Sequence, residues 1–212
     1  MIPTEAQSRP YLGFDAVVIG ASLGGIQTLP RVLEMLPSDF PAPIIVVQHS
    51  AATKTYLPEI IGRRAKLAVK VAVQWERFVP GTIYIAPPGR HLEVSSTGRC
   101  RLSDGARVSH ARPSADVLFR TAALRFGPKT LAVILTGFLR DGTAGAGKVQ
   151  RCGGMVIAQE PTTCMAPSMP MSVIENGCAN LVLAPTKIAE ALVSLVMVPG
   201  ARECVGFAGV AA

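Results

Sequence analysis

The chain has 212 residues, 49% apolar and 17% charged, which suits one α/β domain with a full core and excludes a disordered chain. A net charge of +7 points to an anionic partner, but no Lys/Arg cluster is interleaved with aromatics as a single-strand nucleic-acid binder requires. The longest apolar run, near 189–198, is about half of the roughly 20 residues that span a bilayer, which excludes membrane insertion by a helix.

Residues 1–12 read as a flexible leader, polar and without the apolar core of a secretion signal. An apolar run from Ala16 to Ile19 stops at Gly20, and apolar residues then recur at helical spacing at Leu29, Val32, Leu33 and Leu36. This predicts strand, tight turn, helix, with Pro30 kinking the helix early. A second strand covers Pro43 to Gln48 and ends at His49. Tyr56 to Lys66 reads as a helix with Leu57, Ile60 and Ile61 on one face, and Val69 to Val73 as a short strand. The pattern changes over residues 80–103. Pro80-Gly81 and Pro87-Pro88-Gly89 are turn signals, with strand-like runs at Thr82–Ala86, Leu92–Ser95 and Arg99–Leu102. They read as a β-hairpin insertion.

Arg112-Pro113-Ser114 introduces a helix through Arg125, with Ser114 as its N-cap and Asp116 in the first turn, where the dipole favours it. His91 and His110 read as packing or surface residues. Leu131 to Leu135 is another buried strand, followed by a glycine-rich turn that carries Asp141 and leads into a helix. Met155 to Ala158 is a strand, 166–170 a rigid loop before a short helix, Leu181 to Leu183 a strand, and Thr186 to Val198 the last helix. Residues 199–212 read as a loose C-terminal tail. The five cysteines form no Cys-x-x-Cys and read as reduced cytosolic thiols with packing roles. The alternation of β and α implies a doubly wound, mainly parallel, Rossmann-like sheet with all strand carboxyl ends on one edge.

Two readings of the first turn compete. A dinucleotide fingerprint would place glycine where Ser22 stands in Gly20-Ala-Ser22-Leu-Gly24-Gly25, and an acid at the end of the second strand, where Gln48-His49 stands instead. A nucleophile turn, Gly20-x-Ser22-x-Gly24, exposes a serine hydroxyl at a strand-to-helix corner. A hydroxyl needs a base, and the base needs a carboxylate to fix its tautomer. Ser22, His49 and Asp141 lie at three strand ends on one edge and supply those parts. Taken singly, Asp141 reads equally as a turn residue capping the next helix, and His49 as a satisfied strand end. The order Ser, His, Asp along the chain is no objection, because triads are defined by geometry.

The chain resembles the catalytic domain of the chemotaxis protein-glutamate methylesterases, the CheB family, over roughly residues 14–195. The resemblance rests on Ile19-Gly-Ala-Ser22-Leu-Gly-Gly25, Gln48-His49, Tyr84-Ile-Ala-Pro-Pro-Gly-Arg-His91, Arg112-Pro-Ser-Ala-Asp-Val-Leu-Phe119, Leu135-Thr-Gly-Phe-Leu-Arg-Asp-Gly142 and Pro167-Ser-Met-Pro170. It implies a catalytic domain over 13–198. Ser22 is then the nucleophile, His49 the general base and acid, and Asp141 the orienting carboxylate. The backbone N–H groups of Leu23 and Phe138 form the oxyanion hole, and no cofactor or metal takes part. The implied reaction is hydrolysis of glutamate γ-methyl esters with release of methanol, often with glutamine deamidation. The implied partner is a methylated chemoreceptor or a receptor-like acidic helical protein in the cytoplasm. The surplus of Lys and Arg suits such a partner, with Lys54, Arg63, Arg64 and Arg140 as candidate substrate contacts.

The chain departs from the family pattern at Phe138, where methionine is frequent, at Arg140, where Asn or Asp is common, and at Ala111, where a histidine often precedes Arg-Pro-Ser. With about a dozen residues before the first strand, a stand-alone domain without a phosphorylatable receiver is expected. A serine hydrolase for another ester or amide in a non-chemotaxis system, or a binding module without turnover, are the alternatives. The intact Ser22, His49 and Asp141 argue against the second.

Overall fold

The structure, a computed structural model, describes residues 13–50 and 54–204. The expected leader, residues 1–12, and residues 205–212 of the expected tail lie outside the described residues.

In chain order the elements are β1 (Ala16–Ala21), α1 (Gly25–Leu33), β2 (Ile44–Gln48), α2 (Leu57–Gly62), β3 (Ala68–Val71), β4 (Thr82–Ile85), β5 (His91–Val94), β6 (Cys100–Ser103), α3 (Ala115–Phe126), β7 (Thr130–Ile134), α4 (Thr143–Arg151), β8 (Met155–Gln159), α5 (Ser168–Glu175), β9 (Leu181–Leu183), α6 (Pro185–Met197) and α7 (Ala201–Cys204). Seven strands form one sheet in the order β3-β4-β2-β1-β7-β8-β9, and every pairing in it is parallel. The chain winds from β1 toward β3 on one side and from β7 toward β9 on the other. The carboxyl ends of β1, β2 and β7 therefore border the crevice where a doubly wound sheet binds ligands.

Burial on both faces explains why the central strands are apolar without alternation. One core lies under α1 and α6, with Val17, Ile19, Leu29, Leu33, Ile188 and Leu192. The other lies under α3 and α4, with Val18, Ile45, Leu118, Phe119, Ile134 and Val149.

Several expectations shift. Thr82–Ile85 belongs to the main sheet, wedged between β2 and β3, and only β5 and β6 form the antiparallel hairpin. The turns on either side resemble hairpin turns but serve as the entry and exit of an interior strand. Helix α2 ends at Gly62 rather than Lys66. The loop expected over 166–170 already turns helical at Ser168. Part of the expected tail forms α7, where the Arg202 guanidinium donates to the carbonyls of Pro128 and Gly153. Pro30 leaves α1 in one piece: it only forgoes a donor, and its carbonyl accepts from Glu34 N–H at 2.9 Å.

The β5–β6 hairpin packs on α3. Thr121 Oγ1 accepts from the buried Val94 N–H at 3.1 Å. The isosteric Thr121→Val change removes that acceptor and strands the donor, and is expected to cost about 1–3 kcal/mol. Urea unfolding checks this, and an unchanged midpoint would show that the hairpin does not depend on the bond.

Cys100, Cys152, Cys164 and Cys178 are free. Burial pushes the Cys100 thiol up to about 12 and the Cys164 thiol up to about 11, which makes both poor thiolates.

Candidate active site

Sheet register brings Ser22 beside His49. Ala21 pairs with Gln48, His49 N–H donates to Ala21 carbonyl at 2.9 Å, and Ser22 N–H donates to Thr136 carbonyl at 3.0 Å. Ser22 is thus clamped between the ends of β2 and β7. The chain then turns through Gly24, whose φ of 87° starts α1 in the left-handed region. A Cβ there would lie 2.8 Å from Met165 Cβ and 2.9 Å from Thr136 Cγ2, so glycine is required on both counts.

The Gln48 side chain joins the two strand ends. Its Nε2 donates to the Ser22 carbonyl at 2.7 Å and to the His49 carbonyl at 2.9 Å. On the other flank, Thr136 Oγ1 donates to Leu23 carbonyl at 2.9 Å and accepts from Ala166 N–H at 2.9 Å. Gly137 N–H donates to Ala166 carbonyl at 2.8 Å, and Met169 N–H to Gly137 carbonyl at 2.9 Å. The Ala166–Met169 segment therefore braces the turn after β7.

His49 Nε2 lies 2.7 Å from Asp141 Oδ2, with side-chain exposures of 18% and 1% respectively. The other ring nitrogen, Nδ1, makes no hydrogen bond among the described residues. Among the described residues, Ser22 Oγ makes no hydrogen bond, and no acceptor takes the N–H of Leu23 or of Phe138. Asp141 also accepts from Ser114 Oγ at 2.7 Å, from Ala115 N–H at 2.7 Å and from Asp116 N–H at 3.0 Å. It caps the N-terminus of α3, not the helix that follows it. Ser114 stands at the N-cap as expected but makes no capping bond of its own. Its hydroxyl points to Asp141 instead. Burial opposes the charge on Asp141, yet the donors from His49, Ser114 and the Asp116 N–H outweigh it and hold the carboxyl below the usual range.

Asp116 differs. Burial is the main cause that pushes its carboxyl up, with Asp141 adding to it, while Gly145 N–H and Ser109 pull the other way. Its two oxygens accept from Gly145 N–H at 2.8 Å and from Ser109 Oγ at 2.9 Å.

Ser22, His49 and Asp141 share one cleft of about 480 Å³, together with Leu23 and Phe138. Lys54, Arg63, Arg64 and Arg140 do not line it. Lys54 stacks over Tyr56, and Arg64 pairs with Glu34 at 3.5 Å. Among the described residues, the Lys and Arg side chains that do line it are Arg107 and Arg112, beside Ser109 and His110. Ser109 and His110 form the tip of a tight turn closed by Val108 and Ala111, at φ of 50° and 65°. His91 is buried, with Nε2 2.9 Å from Ala106 carbonyl, in keeping with a packing role. No residue of β5 or β6 lines the cleft. Sequence reasoning missed the roles of Gln48, Ser109 and Ser114. Gln48 and Ser114 stand within the motifs that carry the resemblance, but their partners cannot be read locally, and Ser109 carries no signal.

Comparison with known proteins follows the same outline. The family described as CheB methylesterase matches residues 17–192. The protein-glutamate methylesterase/protein-glutamine glutaminase of Thermotoga maritima is 42% identical over 194 residues, covering 89% of this chain and 56% of that protein. A putative enzyme of the same description from Leptospira interrogans is 37% identical over 185 residues, covering 87% of this chain and 96% of that protein. The chain thus spans little more than half of the first relative and nearly all of the second. The crystal structure of the Thermotoga maritima CheB methylesterase catalytic domain superposes with a TM-score of 0.82 at 42% identity, covering 86% of this chain and 99% of that one.

Proposed function

Because the chain belongs to the CheB methylesterase family, we propose that it hydrolyses glutamate γ-methyl esters on a protein, with Ser22 as nucleophile, His49 as general base and acid, and Asp141 as the carboxylate that orients the imidazole. The observation that carries this reading is the partly buried Asp141–His49 contact of 2.7 Å at the strand end beside Ser22.

Ser22 Oγ attacks the ester carbonyl as His49 Nδ1 takes its proton. The N–H groups of Leu23 and Phe138 receive the developing oxyanion. The proton passes to the departing methoxide, methanol leaves, and an acyl-Ser22 remains. Water, deprotonated by His49, then attacks the acyl carbon and frees a glutamate carboxylate. A glutamine side chain enters the same route with ammonia as leaving group. Asp141 keeps its negative charge throughout, since its donors favour the carboxylate, and it stabilises the imidazolium that forms in each half-reaction.

The proposed partner is a methylated chemoreceptor or a receptor-like acidic helical protein, met in the cytoplasm. The net charge of +7 and the exposed apolar side chains of Leu23, Ile26, Phe138, Leu139 and Met165 around the cleft suit a segment that is acidic on one side and apolar on the other. Among the described residues no helix is long and apolar enough to cross a membrane.

The test is methanol release from a helical peptide carrying one γ-methyl-glutamate. The intact chain is expected to release methanol in step with the appearance of a free carboxylate. Release no faster than in buffer would overturn the esterase reading.

A further inference from the structure

The turn between β7 and α4 presents its side chains outward in two directions. Phe138 and Leu139, 57% and 60% exposed, line the Ser22 cleft. Arg140 lines a second depression of about 490 Å³, together with Arg151, Thr143 and Asn176. The two hollows share Ser109 as a common wall. Leu139 holds this turn at a φ of 65°, a left-handed conformation that costs a leucine free energy. A buried leucine could offset such strain by packing, but this one is mostly in solvent. Strain held at an exposed site beside the reacting groups points to recognition rather than folding.

The second depression is cationic. Neither Arg140 nor Arg151 has an ion-pair partner among the described residues. The carboxyl group in its lining is Asp116, which is buried and has both oxygens engaged, by Gly145 N–H and by Ser109 Oγ. No carboxylate among the described residues therefore pairs directly with either guanidinium. A partner that covers both hollows must place apolar groups against Phe138 and Leu139 and a carboxylate between the arginines.

We infer that the second depression is a carboxylate subsite. Arg140 and Arg151 hold an acidic side chain of the substrate helix next to the esterified glutamate, and the Phe138–Arg140 turn sets which residue enters the cleft. This inference rests on the protein-esterase reading above. Arg140 and Arg151 are positioning residues for the substrate and take no part in bond making.

The test is fluorescence anisotropy with a labelled, glutamate-rich helical peptide bearing one γ-methyl-glutamate, measured on the Ser22→Ala chain so that nothing is turned over. Adding Arg140→Ala and Arg151→Ala is expected to weaken binding about fivefold at low salt, with the difference closing at high salt, as for exposed ion pairs. A peptide with the neighbouring glutamates changed to glutamine is expected to bind the two proteins equally. Leu139→Gly is expected to melt no lower than the intact chain while binding the peptide more weakly, which a purely structural role would not produce.

Equal affinity of the acidic peptide for both proteins, or an arginine effect that persists with the glutamine peptide, overturns the subsite. So does a failure of the acidic peptide to bind. Methanol release by the intact chain is scored separately. Arginine-dependent binding without release leaves the subsite standing and removes the esterase. Release without arginine dependence does the reverse.

Discussion

Ser22→Ala is expected to cut methanol release by about 10⁶-fold in kcat, the scale seen when a triad serine is lost, with a residue of catalysis left to oxyanion binding. The fold should be untouched. Ser22 Oγ makes no hydrogen bond among the described residues, so the hydroxyl can be removed without stranding a partner. The clamp on this residue is main-chain: its N–H on Thr136 and its carbonyl under Gln48. Single-turnover assays and a thermal melt on the same preparation decide the matter. A variant with the same melting temperature and the same turnover as the intact chain would remove Ser22 from the mechanism.

Asp141 carries the second large effect, and there activity and stability separate by variant. Asp141→Asn keeps the size of the side chain but offers His49 the wrong partner, and is expected to lower kcat by about 10⁴. Asp141→Ala should also destabilise the fold by about 3 kcal/mol or more. It leaves the N–H groups of Ala115 and Asp116 and the buried Ser114 hydroxyl without their acceptor.

The pH dependence has a definite sign. The folded-state pKa of Asp141 is lowered from an unfolded value near 3.9. Its stabilisation is fully present above the unfolded value and is lost as the pH falls through the folded one. Asp116, whose pKa is raised, acts in the opposite sense and adds stability as the pH falls through its own folded value. Asp141→Asn should therefore flatten the loss of stability on the acid side, and removing the neighbouring charge should bring the Asp116 pKa back toward its ordinary value. Urea midpoints from pH 2.5 to pH 6 on both proteins check this. A steeper acid limb in the variant would contradict the sign.

The sheet is legible in the sequence because its central strands are buried on both faces. Ala16–Ala21, Thr130–Ile134 and Met155–Gln159 are buried throughout, and such strands read as unbroken apolar runs. β4 is just as buried, but at four residues between two proline-glycine turns it resembles one arm of a hairpin. Only the pairing of Ile83 with Ile44 on one side and Val69 on the other reveals its place. Ser22, His49 and Asp141 can be brought to one edge because parallel strands end together. What cannot be read is who holds Asp141. Taken locally, the residue suits the cap of the helix after it, whereas it caps a helix that begins 26 residues earlier, through Ala115 N–H. Charge alone picks out Lys54, Arg63, Arg64 and Arg140 as substrate contacts, and charge does not tell which wall of the cleft a side chain reaches. Arg107 and Arg112, in the segment between β6 and α3, line it instead.

The Gln48 amide has a consequence for the energy of the reaction itself. Its two donated bonds lock the carbonyls of Ser22 and His49 to one rigid planar group. The spacing of the Ser22 and His49 backbones is thus fixed before any substrate arrives. In the proposed mechanism the Ser22 side chain is what remains to be oriented, since its Oγ makes no hydrogen bond among the described residues. If Ser22 and His49 act as proposed, reorganisation on entering the transition state is confined to a hydroxyl rotor and a proton. On the proposed mechanism the chemical step is therefore expected to be indifferent to solvent viscosity, and a single-turnover rate that falls with viscosity would contradict it.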